Sequence, residues 1–345
     1  MGTAKKKEGL LERLEDGIVL CAEGYLFELE RRGYLKAGPF VPEVVLDFPE
    51  AVKELHREFL FAGSDVIEAF TYYASKEKLA TVGRENDLEA MNRQAVRLAG
   101  EVAREGDALV AGDICNTWMY DPAKKSSSSK IVRQMYTEQL TWATAESVDF
   151  VISETNDYLG EALIALEVIK SFGLPAVVTL ASVQKDKTRD GYDYVEACKI
   201  LKENGADVVG MNCDHGPETM FPIIQKIRDR LDGYVAMLPV PYHTTRSQYN
   251  FEALKENGTR VFPLALERFL LNRFEAADLA IKAKNMGINY IGLCCGANPV
   301  QIRAMAEALG RTPPASRYSP DMDLHPMFTS AIKQKDAEFA KDWQD

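Results

Sequence analysis

The feature that most restricts what this chain folds into is a recurring alternation. Short runs rich in β-branched and apolar residues are each followed, after a loop, by a longer amphipathic stretch of helical period. The strand-like runs fall at residues 18–23, 65–72, 108–113, 150–154, 176–181, 207–213, 235–240 and 290–294. Between them lie helical stretches such as 49–61, 88–105, 130–145, 218–231, 273–286 and 299–309. Ala62-Gly63, Gly106-Asp107, Asn204-Gly205 and Met286-Gly287 supply the punctuation that ends a helix and returns the chain to a strand. Eight strand-then-helix units predict an α/β fold of the closed (β/α)8 type, a TIM barrel. An open doubly wound sheet is the competing architecture, and the first strand lacks the Gly-x-Gly-x-x-Gly turn that such sheets use for dinucleotides.

The same reading divides the chain into a barrel over residues 1–312 and a short C-terminal extension over 313–345, with a last helical stretch at 329–343 and a possible role in oligomer contact. Residues 121–130, with four consecutive serines from Ser126 to Ser129, read as a mobile loop after the third strand. With 46% hydrophobic residues, the 345-residue chain has material for a substantial core. A formal net charge of −11 argues against an electrostatic grip on nucleic acid or anionic lipid. The absence of a long apolar run predicts no membrane span, and the polar, lysine-rich start predicts a cytoplasmic protein. Small-molecule chemistry is the leading expectation, with a homo-oligomer as the expected assembly.

Six cysteines in a chain of this length do not form the framework of a small secreted domain. Barrels carry reactive groups at the C-terminal ends of their strands. Cys213 ends the sixth predicted strand, and Cys294 and Cys295 end the eighth. Closure would bring three thiolates onto one face, where they could hold zinc and leave one tetrahedral position for water or substrate. Gly210, Gly292 and Gly296 flank the cysteines, as expected if backbone must approach closely around a metal. A redox-active vicinal disulfide is the alternative use of the adjacent pair. Cys21, Cys115 and Cys198 read as small buried hydrophobes. His215 is either a fourth ligand or a solvated loop histidine, and His243 either faces the site or bonds a loop carbonyl.

Specific motifs surround these cysteines: Gly-Met-Asn-Cys at 210–213 and Gly-Leu-Cys-Cys-Gly at 292–296. Others are Arg-Gly-Tyr at 32–34, Lys-Ala-Gly-Pro at 36–39, Leu-His-Arg-Glu-Phe-Leu at 55–60, Phe-Thr-Tyr-Tyr-Ala-Ser at 70–75, Gly-Asp-Ala-Leu-Val-Ala-Gly at 106–112 and Tyr-His-Thr at 242–244. Through them the chain resembles the homocysteine S-methyltransferase family, most closely its betaine branch, over nearly the whole barrel.

The resemblance implies a zinc enzyme that holds homocysteine sulfur as a thiolate and methylates it from an onium donor, glycine betaine or a related betaine or sulfonium, giving methionine. It implies zinc on Cys213, Cys294 and Cys295. It places the acceptor amino group on Glu154, and the donor among Phe40, Tyr72, Tyr73 and Thr155, with Glu267 nearby; Asn212, Glu23 and Gly24 complete the expected substrate-binding set. Glu154 and Tyr73 are the expected catalytic residues. Two departures stand out. Phe40 and Thr155 replace a tryptophan and a tyrosine of the branch, so the cation cage is reshaped. Ala22-Glu23-Gly24 replaces Asp-Gly-Gly, which leaves two readings: Glu23 substitutes for the missing carboxylate from one position along, against the rule that neighbouring strand residues point to opposite faces, or the acceptor is an altered thiol. A corrinoid-partnered methyltransferase is the second reading; the chain has no Asp-x-His-x-x-Gly signature.

Overall fold

The structure, a computed structural model, describes residues 7–181 and 186–325. The eight predicted strands are all present as β1 Val19–Ala22, β2 Val66–Glu68, β3 Leu109–Cys115, β4 Phe150–Asn156, β5 Ala176–Leu180, β6 Val208–Asn212, β7 Tyr234–Leu238 and β8 Tyr290–Leu293. They close into one parallel barrel in sequential order, with β1 pairing β8 through Cys21–Gly292 and Ala22–Leu293. A small antiparallel hairpin, Lys255–Glu256 with Thr259–Arg260, stands outside it.

Helix α1, Leu10–Asp16, precedes the barrel, and α2, Tyr25–Arg31, follows β1 directly. The outer ring is α3 Pro49–Ala62, α4 Leu88–Ala103, α5 Lys125–Ala145, α6 Leu159–Ser171, α7 Tyr194–Glu203, α8 Pro217–Arg228, α9 Arg273–Asn285 and α10 Pro299–Ala308. Capping boxes start the last two: Asn272 with Glu275 on α9, and Asn298 with Gln301 on α10. The loop expected at 121–130 is shorter than predicted. Asp121 caps a 3-10 turn at Pro122–Lys124, and α5 begins at Lys125, absorbing the four serines; Ser128 back-bonds to the carbonyls of Asp121 and Lys124. The helical stretch expected at 329–343 lies outside the described residues.

Strand residues alternate between two apolar environments, as a period of two requires. Leu20 and Ala22 face the helices, whereas Val19 and Cys21 belong to the barrel interior. The interior cluster also holds Val66, Leu109, Ala111, Phe150, Ile152, Val177, Val208, Ala236, Leu238 and Tyr290. Leu10 and Leu14 of α1 join that cluster and so cover one end of the barrel. Counting on along the strands, by two residues from Cys21, Val66, Ala111 and Ile152 and by four from Val208 and Tyr290, takes the inward parity to the other end, where it falls on Glu23, Glu68, Asp113, Glu154, Asn212 and Cys294. The barrel is therefore apolar through its body and polar in its last layer. No helix among the described residues is long and apolar enough to cross a membrane.

Candidate active site

Three thiols meet at that polar end. Cys213 Sγ lies 3.7 Å from Cys295 Sγ, and Cys294 Sγ lies 3.9 Å from Cys295 Sγ, all three within 4.8 Å of one another. Sulfurs about 2.3 Å from a tetrahedral ion stand ~3.8 Å apart, so this donor set fits a single zinc-sized ion. Cys294 reaches it by inward strand parity. Cys213 follows the last residue of β6 and turns into the left-handed region at φ 53°, which redirects its side chain toward the pair. Hydrogen bonds from Cys294 and Cys295 hold the Cys213 thiol well below its ordinary pKa, while burial pushes Cys294 up.

Gly292 has a role other than the one expected of it. It sits inside β8, where a Cβ would overlap the Cys21 carbonyl of β1, so it serves closure of the barrel. Gly296, at φ 99°, packs against the Tyr242 ring, and its carbonyl accepts from Arg31 of α2 at 3.1 Å. His215 is buried, not solvated, and stands outside the sulfur cluster. His243 faces away from the site, half-exposed and 3.3 Å from Glu275.

Beside the sulfurs lie two compartments. The inner one is lined by Glu23, Glu68, Asp113 and Glu154 together with Tyr25, Leu26, Ala69, Phe70, Tyr72, Cys294 and Cys295. Asn212 organises part of it: its Oδ1 accepts from the Thr155 amide at 2.9 Å and from Thr179 Oγ1 at 2.8 Å. Its Nδ2 donates to Glu154 at 2.6 Å and Glu23 at 3.4 Å. Glu23 thus faces the site, because inward parity continues from Val19 through Cys21 to Glu23; the parity objection raised from the sequence applies to Ala22. Burial, reinforced by the neighbouring Asp113 carboxylate, pushes Glu23 up to about 8 and Glu154 well above the carboxylate range. Gly24 starts α2, pressed against Ala297.

The outer compartment opens to solvent. Its walls are Phe40, Tyr72, Tyr73, Trp118, Phe251 and Phe262, with Thr155, Asn116, Cys213 and Cys295 at its base and Asp157, Asp214, Glu252 and Arg189 around it. Eight non-glycine residues have positive φ among the described residues, and six of them line this chamber: Phe40, Tyr73, Trp118, Thr155, Cys213 and Asp214. Strained backbone concentrated on one cavity marks a site whose side-chain directions are over-determined by the surrounding fold.

Tyr72 and Tyr73 stack at 4.1 Å, and Trp118 meets Tyr73 edge-on at 4.9 Å. Lys78, which sequence reasoning did not single out, is fully buried, with Nζ 3.4 Å from the Tyr73 ring centre and donating to the Asn116 carbonyl at 2.5 Å. Burial lowers its pKa. Glu267 corrects an expectation. It sits exposed on a 3-10 turn, Glu267–Phe269, and lines neither compartment; the acids beside the chamber are Asp157, Asp214 and Glu252. Glu68 and Asp113 were also missed from the sequence, although two-residue counting inward from Val66 and Ala111 reaches both.

The polar mouth of a closed barrel, a metal-competent cysteine trio and a cation-friendly aromatic chamber define a small-molecule enzyme. Residues 24–309 match the family model described as homocysteine S-methyltransferase. The chain is 37% identical over 341 residues to mouse betaine-homocysteine S-methyltransferase 1, covering 93% of this chain and 81% of that protein. It is also 37% identical to an S-methylmethionine-homocysteine S-methyltransferase of Pongo abelii, covering 92% and 88%. The metallated homocysteine methyltransferase MmuM from Escherichia coli shares the fold with a TM-score of 0.68 at 19% identity, over 86% of this chain and 99% of that one. The chain belongs to the homocysteine S-methyltransferase family and is a transferase of the betaine-homocysteine S-methyltransferase type.

Proposed function

We propose that this protein transfers a methyl group from an onium donor to the sulfur of homocysteine, giving methionine, with zinc on Cys213, Cys294 and Cys295. The observation that carries the reading is the spacing of the three sulfurs at the floor shared by the two compartments. Zinc bound there would keep the acceptor sulfur deprotonated at neutral pH.

In this reading Glu154, oriented by Asn212, receives the acceptor's ammonium, with Glu23 and the start of α2 at Gly24 completing that subsite. The donor's charged methyl-bearing group lies against Phe40, Tyr72 and Tyr73 above Thr155, close to Cys295. Attack of a thiolate on a cationic methyl donor destroys charge, so walls that exclude water and align the two partners favour it. Lys78 already engages one face of Tyr73, which makes Tyr73 a shaping wall and leaves Phe40 and Tyr72 as the freer aromatic surfaces.

The charges around the outer compartment support one donor type. Three carboxyl groups, Asp157, Asp214 and Glu252, stand against one guanidinium, Arg189, among the described residues. That balance suits a sulfonium donor that also carries an amino group better than glycine betaine, whose only other charge is a carboxylate. The assay is methionine formation by the purified zinc-loaded protein, with homocysteine and either glycine betaine, a dimethylsulfonium carboxylate or S-methylmethionine. Turnover without any corrinoid, fastest with S-methylmethionine, is expected. No methionine from any onium donor would overturn the reading. We also propose a homo-oligomer, read by light scattering.

A further inference from the structure

The inner compartment has too many acids for its task. One acceptor ammonium needs one or two carboxylates, yet four line this space, and no Lys, Arg or His lines it among the described residues. Glu23, Glu68, Asp113 and Glu154 are each at least nine-tenths buried. Glu23 Oε1, Glu68 Oε2 and Asp113 Oδ1 are enclosed without a hydrogen-bond partner among the described residues. Lys78 acts on Asp113 through space, but its ammonium is engaged by Asn116 and by the Tyr73 ring. Buried carboxylates left this way repel one another and lose hydration with nothing in return.

Their geometry is that of a ligand set. One oxygen from each of Glu68, Asp113 and Glu154 lies within 4.8 Å of the other two. Oxygens around a six-coordinate ion at 2.1–2.4 Å stand ~3.0–3.4 Å apart as neighbours and ~4.2–4.8 Å apart across it. The enclosed space between the walls lets the centre of a water-sized sphere move through only ≈ 20 Å³, room for one ion or one water.

We propose that Glu68, Asp113 and Glu154 form a second cation site, adjoining the three sulfurs through Glu154 and Cys294, that takes a hard divalent ion of the magnesium, manganese or calcium class. Oxygen-only ligation by carboxylates selects hard cations over zinc, which the neighbouring thiolates attract. The site rests on the methyltransfer reading in one respect: an ion filling this one-ion space neutralises the acid cluster and holds Glu154, beside Asn212, in place for the acceptor's ammonium.

The test uses zinc-loaded full-length protein stripped of other metals, the double variant Glu68→Gln/Asp113→Asn, and Cys213→Ala. Manganese alone is titrated by electron paramagnetic resonance, with magnesium, calcium and potassium as competitors, and thermal melting is followed in parallel. Wild type is expected to bind one manganese and to melt higher with it. The double variant should keep its zinc and fold, bind manganese at least roughly tenfold more weakly, and gain no thermal stabilisation. Cys213→Ala should lose zinc and keep the manganese site. Removing manganese should raise KM for homocysteine more than it lowers kcat. Absence of a manganese site in wild type, equal binding in the double variant, or equal stabilisation by potassium would each overturn the divalent site. None of those three results touches the methyltransfer reading, which stands or falls on methionine formation measured separately.

Discussion

His56 of α3 carries the prediction with the best-defined magnitude. Its ring is fully buried, and neither nitrogen has a hydrogen-bond partner among the described residues. It meets Tyr25, a wall of the acid compartment, edge-on at 4.8 Å. Burial lowers its pKa from 6.5 to about 3. Between those two values the unfolded chain binds a proton on this imidazole that the folded protein does not, so acidification favours unfolding. The stability is present above pH 6.5 and lost progressively as pH falls toward 3. At about 1.36 kcal/mol per pH unit, going from about pH 8 to about pH 5 removes roughly 2 kcal/mol through this one group. His56→Leu abolishes that contribution. At neutral pH the variant loses an aromatic contact of about 1 kcal/mol and sheds an unsatisfied buried N–H of similar size, so it should nearly match wild type there. Urea midpoints of both proteins across that range give the difference profile, in which the slopes of other titrating groups common to both cancel. Expected is near-equality at about pH 8 and an advantage of about 2 kcal/mol for the leucine variant at about pH 5. Parallel profiles would refute the reasoning.

Two further outcomes follow from particular contacts. Asn212→Ala removes the donor to Glu154 and the acceptor for the Thr155 amide and Thr179 hydroxyl. It should raise KM for the acceptor roughly tenfold or more while zinc content stays unchanged, read by steady-state kinetics and metal analysis. Asp65→Ala should lower unfolding stability by about 2–3 kcal/mol in a urea titration, because its carboxylate accepts from the Leu20 amide of β1 at 2.7 Å and pairs with Arg311 at 2.6 Å, joining the first two strands to the segment after α10.

The barrel was legible because its signal is periodic and repeated: eight apolar runs with helix stops between them leave few ways to pair, and the strands fell within a few residues of expectation. The sulfur trio was legible because Cys213, Cys294 and Cys295 sit at strand ends, where the closed barrel gathers what the chain separates. Inward parity also explains Glu154 and Glu23. It would have reached Glu68 and Asp113, had it been carried past the apolar part of each strand. Other features were not open to such counting. The chamber depends on left-handed backbone at Phe40, Tyr73, Trp118, Thr155, Cys213 and Asp214, a conformation that side-chain type does not announce. Glu267 was misplaced and Glu252 was missed because the long segment between β7 and α9 decides which of its acids faces the cavity, while Asp157 and Asp214 were missed because they lie just past the ends of β4 and β6, beyond the reach of strand parity. The start of α5 resembles a loop in sequence because serine runs resemble linkers, whereas Asp121 and the backbone bonds of Ser128 make that run a helix start.

Everything in the proposed chemistry depends on three sulfurs binding one ion together. X-ray absorption at the zinc edge, combined with metal analysis of the purified protein and of Cys213→Ala, measures this directly. The account predicts one zinc per chain with three sulfur neighbours at about 2.3 Å, a fourth sulfur on adding homocysteine, and loss of zinc in the variant. Full zinc content in Cys213→Ala, or a zinc environment dominated by oxygen and nitrogen, would contradict it.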